Sequence, residues 1–84
     1  MGLECQAVAV SEDGSAGRCT EEAKYMLRGE NRQLYGEQGR TMNCCHEHFW
    51  NLSKEDVIGM HGDEGVINTF YLDDIVETTI LHFQ

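Results

Sequence analysis

The stretch Arg40-Thr41-Met42-Asn43-Cys44-Cys45-His46-Glu47-His48-Phe49-Trp50 decides how this chain folds. It places a Cys-x-x-His, Cys45 to His48, where a β-favouring run gives way to a helix-favouring one. Upstream stand two lone cysteines, Cys5 and Cys19. Thiolate sulfur and imidazole nitrogen are the preferred ligands of zinc, and a structural site closes four of them into a tetrahedron. Cys5, Cys19, Cys45 and His48 supply such a set. Cys45 and His48 reach one ion when the cysteine ends a strand and the histidine sits in the first turn of the next helix. The N-terminus of that helix also favours the thiolate charge.

Cys44 and His46 are rivals for places in the set. Neighbouring residues on a strand point to opposite faces, so Cys44 and Cys45 do not easily reach one ion together. Cys44 is then either a small buried apolar residue or a reactive thiol. His46 reads as a solvent-facing helical residue, and His61 and His82 as surface or half-buried ones.

Working outward, residues 21–45 read as a β-hairpin. Ala23–Leu27 form its first strand, Gln33-Leu34-Tyr35 extend it, and Gly36-Glu37-Gln38-Gly39 carry turn chemistry. Arg40–Cys44 return and deliver Cys45. A helix is predicted over His46–Lys54, with Phe49 and Leu52 three apart on one face. Ser53 is placed to cap a second short helix, because Asp56 stands three residues on. Before the hairpin, Ala7-Val8-Ala9-Val10 favours a strand and Asp13-Gly14 a turn, so the interval from Cys5 to Cys19 is a mobile loop or loose hairpin closed at its base by the metal. After the helix, Gly59–Gly65 reads as loop. Residues 66–83 carry two signals: Leu72, Ile75, Val76, Thr79, Ile80 and Phe83 match a helical face, whereas the segment is rich in β-branched and aromatic residues. The favoured reading is a C-terminal hairpin, Val66–Leu72 with Ile75–Phe83; a C-terminal helix is the alternative.

The whole is an α+β, zinc-stapled single domain, 1–84, with a zinc-binding hairpin-helix part (1–58) and an acidic C-terminal part (59–84). A chain of 84 residues is short for a self-sufficient apolar core, so a staple is expected. There is no apolar run long enough to cross a bilayer, and Glu4 stands where a secretory signal carries basic charge. Gln6 occupies the Ser/Thr position of a myristoylation signal. The expected location is the cytoplasm, where clustered cysteines point to metal or catalysis rather than disulfides.

Here the pattern Cys5…Arg18-Cys19-x-x-x-Ala23-x-Tyr25…Cys45-x-x-His48-Phe49 resembles the small treble-clef-type zinc proteins common among phage and bacterial hypothetical proteins. The resemblance covers about residues 5–50. It implies a fold and a Zn2+ ion shared by three cysteines and a histidine, and it implies no activity. The 13 residues between Cys5 and Cys19 depart from the two-residue gap usual for that fold.

Function has to be argued from charge. The net charge is −9, and all six basic residues lie in the first 54 positions. From Glu55 onward there are seven acids and no Lys or Arg. Such a surface repels phosphate and attracts basic partners; otherwise it serves solubility alone. Enzymatic readings find little footing. His46 and Glu47 are adjacent, so the His-x-Glu of zinc deaminases is absent, as is Cys-x-x-Cys. The glycines at 59, 62 and 65 lack the Lys of a phosphate loop.

The expectation is a non-enzymatic acidic protein-binding module, docking on a basic surface of a nucleic-acid-handling protein. It resembles phage-encoded inhibitors, including anti-CRISPR proteins and other DNA mimics; for a phage protein the location is the host cytoplasm. Asp56, Asp63, Glu64, Asp73, Asp74 and Glu77 would stand in for phosphates, with Phe70, Tyr71 or Trp50 as packing anchors. One alternative is a zinc-containing nucleic-acid binder using Arg18, Lys24, Arg28, Arg32 and Arg40, with Tyr25 and Tyr35 stacking on bases. Another is a small structural subunit whose C-terminal strand adds to a partner's sheet.

Overall fold

Small apolar residues in Ala7-Val8-Ala9-Val10 build the first strand of a hairpin that brings two distant cysteines together. The computed structural model describes residues 3–10, 12–62 and 67–81. β1 (Val8–Val10) pairs antiparallel with β2 (Ala16–Arg18), with Val8 opposite Arg18 and Val10 opposite Ala16. At the tip, Asp13 Oδ1 accepts hydrogen bonds from the Ser15 amide at 2.9 Å and the Ser15 hydroxyl at 2.7 Å. The expected turn at Asp13-Gly14 is therefore present, and the Cys5–Cys19 interval is a hairpin.

β3 (Tyr25–Asn31) and β4 (Gly36–Cys44) form the central hairpin, with Tyr25 opposite Cys44 and Leu27 opposite Met42. Alternation along β3 buries Leu27 and Gly29 and leaves Arg28 and Glu30 in solvent. The connection differs from the expected one. Gln33-Leu34-Tyr35 does not extend the strand; Arg32–Tyr35 make a single helical turn, α1. Asn31 is the reason: its side chain accepts from the Gln33 and Leu34 amides, both at 3.2 Å, and caps the turn. Residues 36–39 then already belong to β4. Gly39 has φ +75°, and a Cβ on it would stand 2.6 Å from the Gly29 carbonyl oxygen, so glycine is needed there.

α2 (His46–Glu55) begins where expected. It does not break at Ser53. The Ser53 hydroxyl donates back to the Phe49 carbonyl at 3.1 Å, an ordinary bond inside a helix, and no second helix starts there. Asp56, at φ 66°, ends the helix in the left-handed conformation, its amide donating to Leu52 O at 2.9 Å. β5 (Val57–His61) follows directly and pairs with β6 (Ile67–Tyr71), with Gly59 opposite Thr69. The segment read as loop from Gly59 is thus strand as far as His61. Gly59 is no breaker: a Cβ there would lie 3.3 Å from Val8 Cγ2, so its smallness lets β1 pack on β5. Residues 63–66 lie outside the described residues.

A 3-10 turn (Leu72–Asp74) leads into β7 (Ile75–Ile80). Both C-terminal segments are strands, as the β-branched composition indicates, and the helical alternative fails. They do not pair with each other. β6 joins β5, and β7 joins β3, with Tyr25 opposite Ile80 and Arg28 opposite Glu77. Among the described residues the sheets are β1-β2, β4-β3-β7 and β5-β6. The expected division at 58/59 falls inside β5, and strands from both sides of it share one core: Cys5, Ala7, Leu27, Met42, Cys44, Leu52 and Phe70 have no exposed surface. Among the described residues, no helix is long and apolar enough to cross a membrane.

Candidate metal centre

Three separate pieces of backbone deliver the four candidate ligands. Cys5 precedes β1 and is fixed by its amide, which donates to Glu21 O at 2.9 Å. Cys19 follows β2, its amide donating to Ala7 O at 3.0 Å. These bonds close the base of the hairpin, so residues 14 positions apart in sequence meet in space. Cys45 ends β4 and occupies the N-cap of α2, with extended backbone (φ −77°, ψ 171°) and no capping bond from its sulfur. His48 stands in the first turn of that helix.

The ligand atoms of Cys5, Cys19, Cys45 and His48 all lie within 4.8 Å of one another, and the four residues could hold a metal ion. His48 turns Nδ1 toward the sulfurs, 3.2 Å from Cys45 Sγ and 3.5 Å from Cys5 Sγ. In a tetrahedron with metal–sulfur bonds of about 2.3 Å the sulfurs stand about 3.8 Å apart, which this cluster accommodates. All three cysteines are buried and His48 is half-buried. Burial pushes the Cys5 thiol up to about 12, assisted by the neighbouring Cys45 and Cys19 and opposed by hydrogen bonds from the Ala7 and Cys45 backbones. A dication reverses that preference, because its charge favours the thiolate that burial alone disfavours.

Neither rival enters the cluster. Cys44 faces the core from β4, opposite Tyr25, and burial raises its thiol to about 12, which makes it an inert packing residue. His46 is exposed, and its Nδ1 lies 3.2 Å from the Tyr25 hydroxyl. A cleft of about 410 Å³ lined by Glu21, Glu22, Lys24, Cys45, His46 and Glu47 touches the cluster at Cys45 alone.

The fold divides the expected partner-binding residues between exposed and buried positions. Asp56 sits beside the Leu72–Asp74 turn, since Leu72 donates to Asp56 O at 3.0 Å. Asp56 and Asp73 are exposed, Asp74 is half-buried and accepts from Asn31 Nδ2 at 3.3 Å, and Glu77 is exposed on β7. Tyr71 is exposed, as is Trp50. Phe70 is not available as an anchor. It is completely buried and stacks on Tyr35 at 5.6 Å, because β6 alternates and Phe70 takes the inward side. Asp63 and Glu64 lie outside the described residues.

The five basic residues of the hairpin reading are engaged locally, Arg18 by donating from Nε to Cys5 O at 3.4 Å. Lys24 pairs with Glu22, Arg28 with Glu30 and Arg32 with Glu37. Arg40 donates to Thr69 O at 3.0 Å and lies 4.5 Å from the Tyr35 ring centre. Tyr25 stacks on Phe49 at 4.3 Å. Sequence reading missed Gln6, Asn31 and Tyr35, whose side chains lock strand edges and turns; only Asn31, a capping residue ahead of a short helical run, left a readable signal. No family model, no curated protein and no solved structure matches this chain.

Proposed function

We propose that the chain is a zinc-stapled, non-enzymatic protein-binding module. Three thiolates and one imidazole are a donor set suited to zinc, and four protein ligands leave no open position for a substrate, the arrangement of a structural rather than a catalytic ion. The acid-rich second half docks on a basic surface of a nucleic-acid-handling protein in the cytoplasm, as an inhibitor that takes the place of nucleic acid.

The observation that carries the reading is the unequal fate of the charges. Arg28, Arg32 and Lys24 have acidic partners within 3.2 Å, so the basic hairpin offers no free cationic stripe to phosphate. Asp56, Asp73 and Glu77 are exposed and make no ion pair among the described residues. The field that reaches a partner is therefore acidic. Binding to a panel of basic, nucleic-acid-handling proteins, measured at low and high ionic strength with duplex DNA as competitor, tests this. Affinity should fall steeply with salt and DNA should compete; salt-independent binding, or a direct shift of labelled DNA by the chain, sinks it.

A further inference from the structure

The chain guards its strand edges unequally. On β6, the Leu72 amide points to Asp56 on the β5 side, so by alternation Thr69 and Tyr71 aim their backbone groups outward. Both are met: Thr69 O accepts from Arg40, and the Tyr71 amide donates to the Tyr35 hydroxyl at 3.1 Å. On β4, Asn43 exchanges bonds with Gln6, its carbonyl accepting from the Gln6 amide and its own amide donating to Gln6 Oε1, each at 2.8 Å. On β5, the His61 amide donates to Gln6 O at 2.7 Å, and Met60 bridges Ala7.

β7 is treated otherwise. The Leu81 amide donates to Lys24 O at 2.9 Å, so Leu81, Thr79 and Glu77 turn their backbone groups to β3 while Thr78 and Ile80 turn theirs outward. Among the described residues nothing meets these outward groups. The strand Ile75-Val76-Glu77-Thr78-Thr79-Ile80 has no lysine, and the register shift that leaves Val76 without a partner on β3 lies ahead of Thr78, so the edge from Glu77 to Ile80 is regular. Val76 and Ile80 are 55% and 60% exposed. Asp73 and Asp74 stand at its entry and Glu77 within it, while Arg28, opposite Glu77, is held by Glu30 at 2.8 Å.

We propose that β7 is a docking edge at which an extended, basic segment of a partner protein adds to the β4-β3-β7 sheet as a further strand. Backbone bonds to Thr78 and Ile80 would hold the segment, alternate Lys or Arg side chains would meet the exposed Asp73 and Glu77, and the side chains between them would cover Val76 and Ile80. The inference rests on the acidic docking reading above and gives it a geometry.

The test uses the full metal-loaded chain and two fluorescent peptides: an alternating Lys-Val peptide, and the same peptide with alternate backbone amides N-methylated. Thr78→Pro is the matching protein variant, because the Thr78 amide is not part of the β3 ladder and its loss leaves that pairing intact; circular dichroism and metal content verify its fold. Strand addition predicts that N-methylation and Thr78→Pro each weaken binding by about tenfold or more. Equal binding of both peptides overturns it and leaves charge-driven docking standing, and if Thr78→Pro misfolds the peptide pair decides alone. Failure of both peptides to bind at low salt overturns the docking reading as well. A chain dimer that Thr78→Pro dissolves would assign the edge to a second copy and overturn the proposal.

Discussion

Gly29 lies so close beneath Phe70 that a Cβ on it would stand 2.9 Å from Phe70 Cζ and 3.2 Å from Tyr35 Cε2. This contact joins the central sheet to the β5-β6 hairpin. Gly29→Ala forces the two rings apart and should destabilise the fold by about 1–3 kcal/mol. Phe70→Ala leaves a cavity in the core and should cost about 3–5 kcal/mol. Urea unfolding of both variants checks the pair; a neutral Gly29→Ala would contradict the packing described.

Removal of the metal should unfold the domain, because a chain of 84 residues with a small apolar core depends on the tie that four ligands from distant positions make. Native mass spectrometry should show one ion per chain, lost on chelation together with the near-ultraviolet signal of Tyr25, which stacks on Phe49. Cys5→Ser and His48→Ala should each lose the ion, whereas Cys44→Ala should keep it.

Cys44 should resist alkylation in the native chain and react only after unfolding, as mass spectrometry after brief iodoacetamide treatment would reveal. Its thiol is raised by burial from 9.0 to about 12. A group whose folded value is raised stabilises the fold below its unfolded value and loses that contribution as pH climbs toward the folded one. Stability should therefore decline above about pH 9, and Cys44→Ala should show a shallower alkaline decline than the parent chain.

Asn31 holds two structures at once, capping α1 and donating to Asp74. Asn31→Ala should destabilise by about 1–2 kcal/mol. Asn31→Asp keeps a capping oxygen but sets a second carboxylate against Asp74, so part of its loss should be regained on acidification. Thermal melts at neutral and mildly acid pH distinguish the two.

Much of the candidate metal cluster was legible because its chemistry is local: Cys45 and His48 share one strand-to-helix junction, and Cys44 and His46 were the rivals for places in the set. The α2 start and the strand character of residues 67–80 were readable for the same reason, since periodicity and β-branching are properties of short windows. Strand partners were not. β7 pairs with β3 across some fifty positions, and no feature of Ile75–Ile80 by itself distinguishes that partner from β6. Gly59 misled because a glycine that permits Val8 to approach looks identical in sequence to one that breaks a strand. Phe70 misled because an aromatic residue flanked by Thr69 and Tyr71 shows no inward side until β6 has a partner.

The hairpin between Cys5 and Cys19 has one more consequence. Its closed base, where the Cys19 amide meets Ala7, sets the spacing of the two cysteines at the candidate metal site, and its tip at Asp13–Ser15 is remote from it in the ladder. Lengthening the hairpin by pairs of residues, one to each strand, would preserve the register and move only the tip. The interval between these two cysteines is therefore a free variable of evolution, and kin of this chain are to be sought by holding Cys45-x-x-His48 fixed while letting the first spacing float.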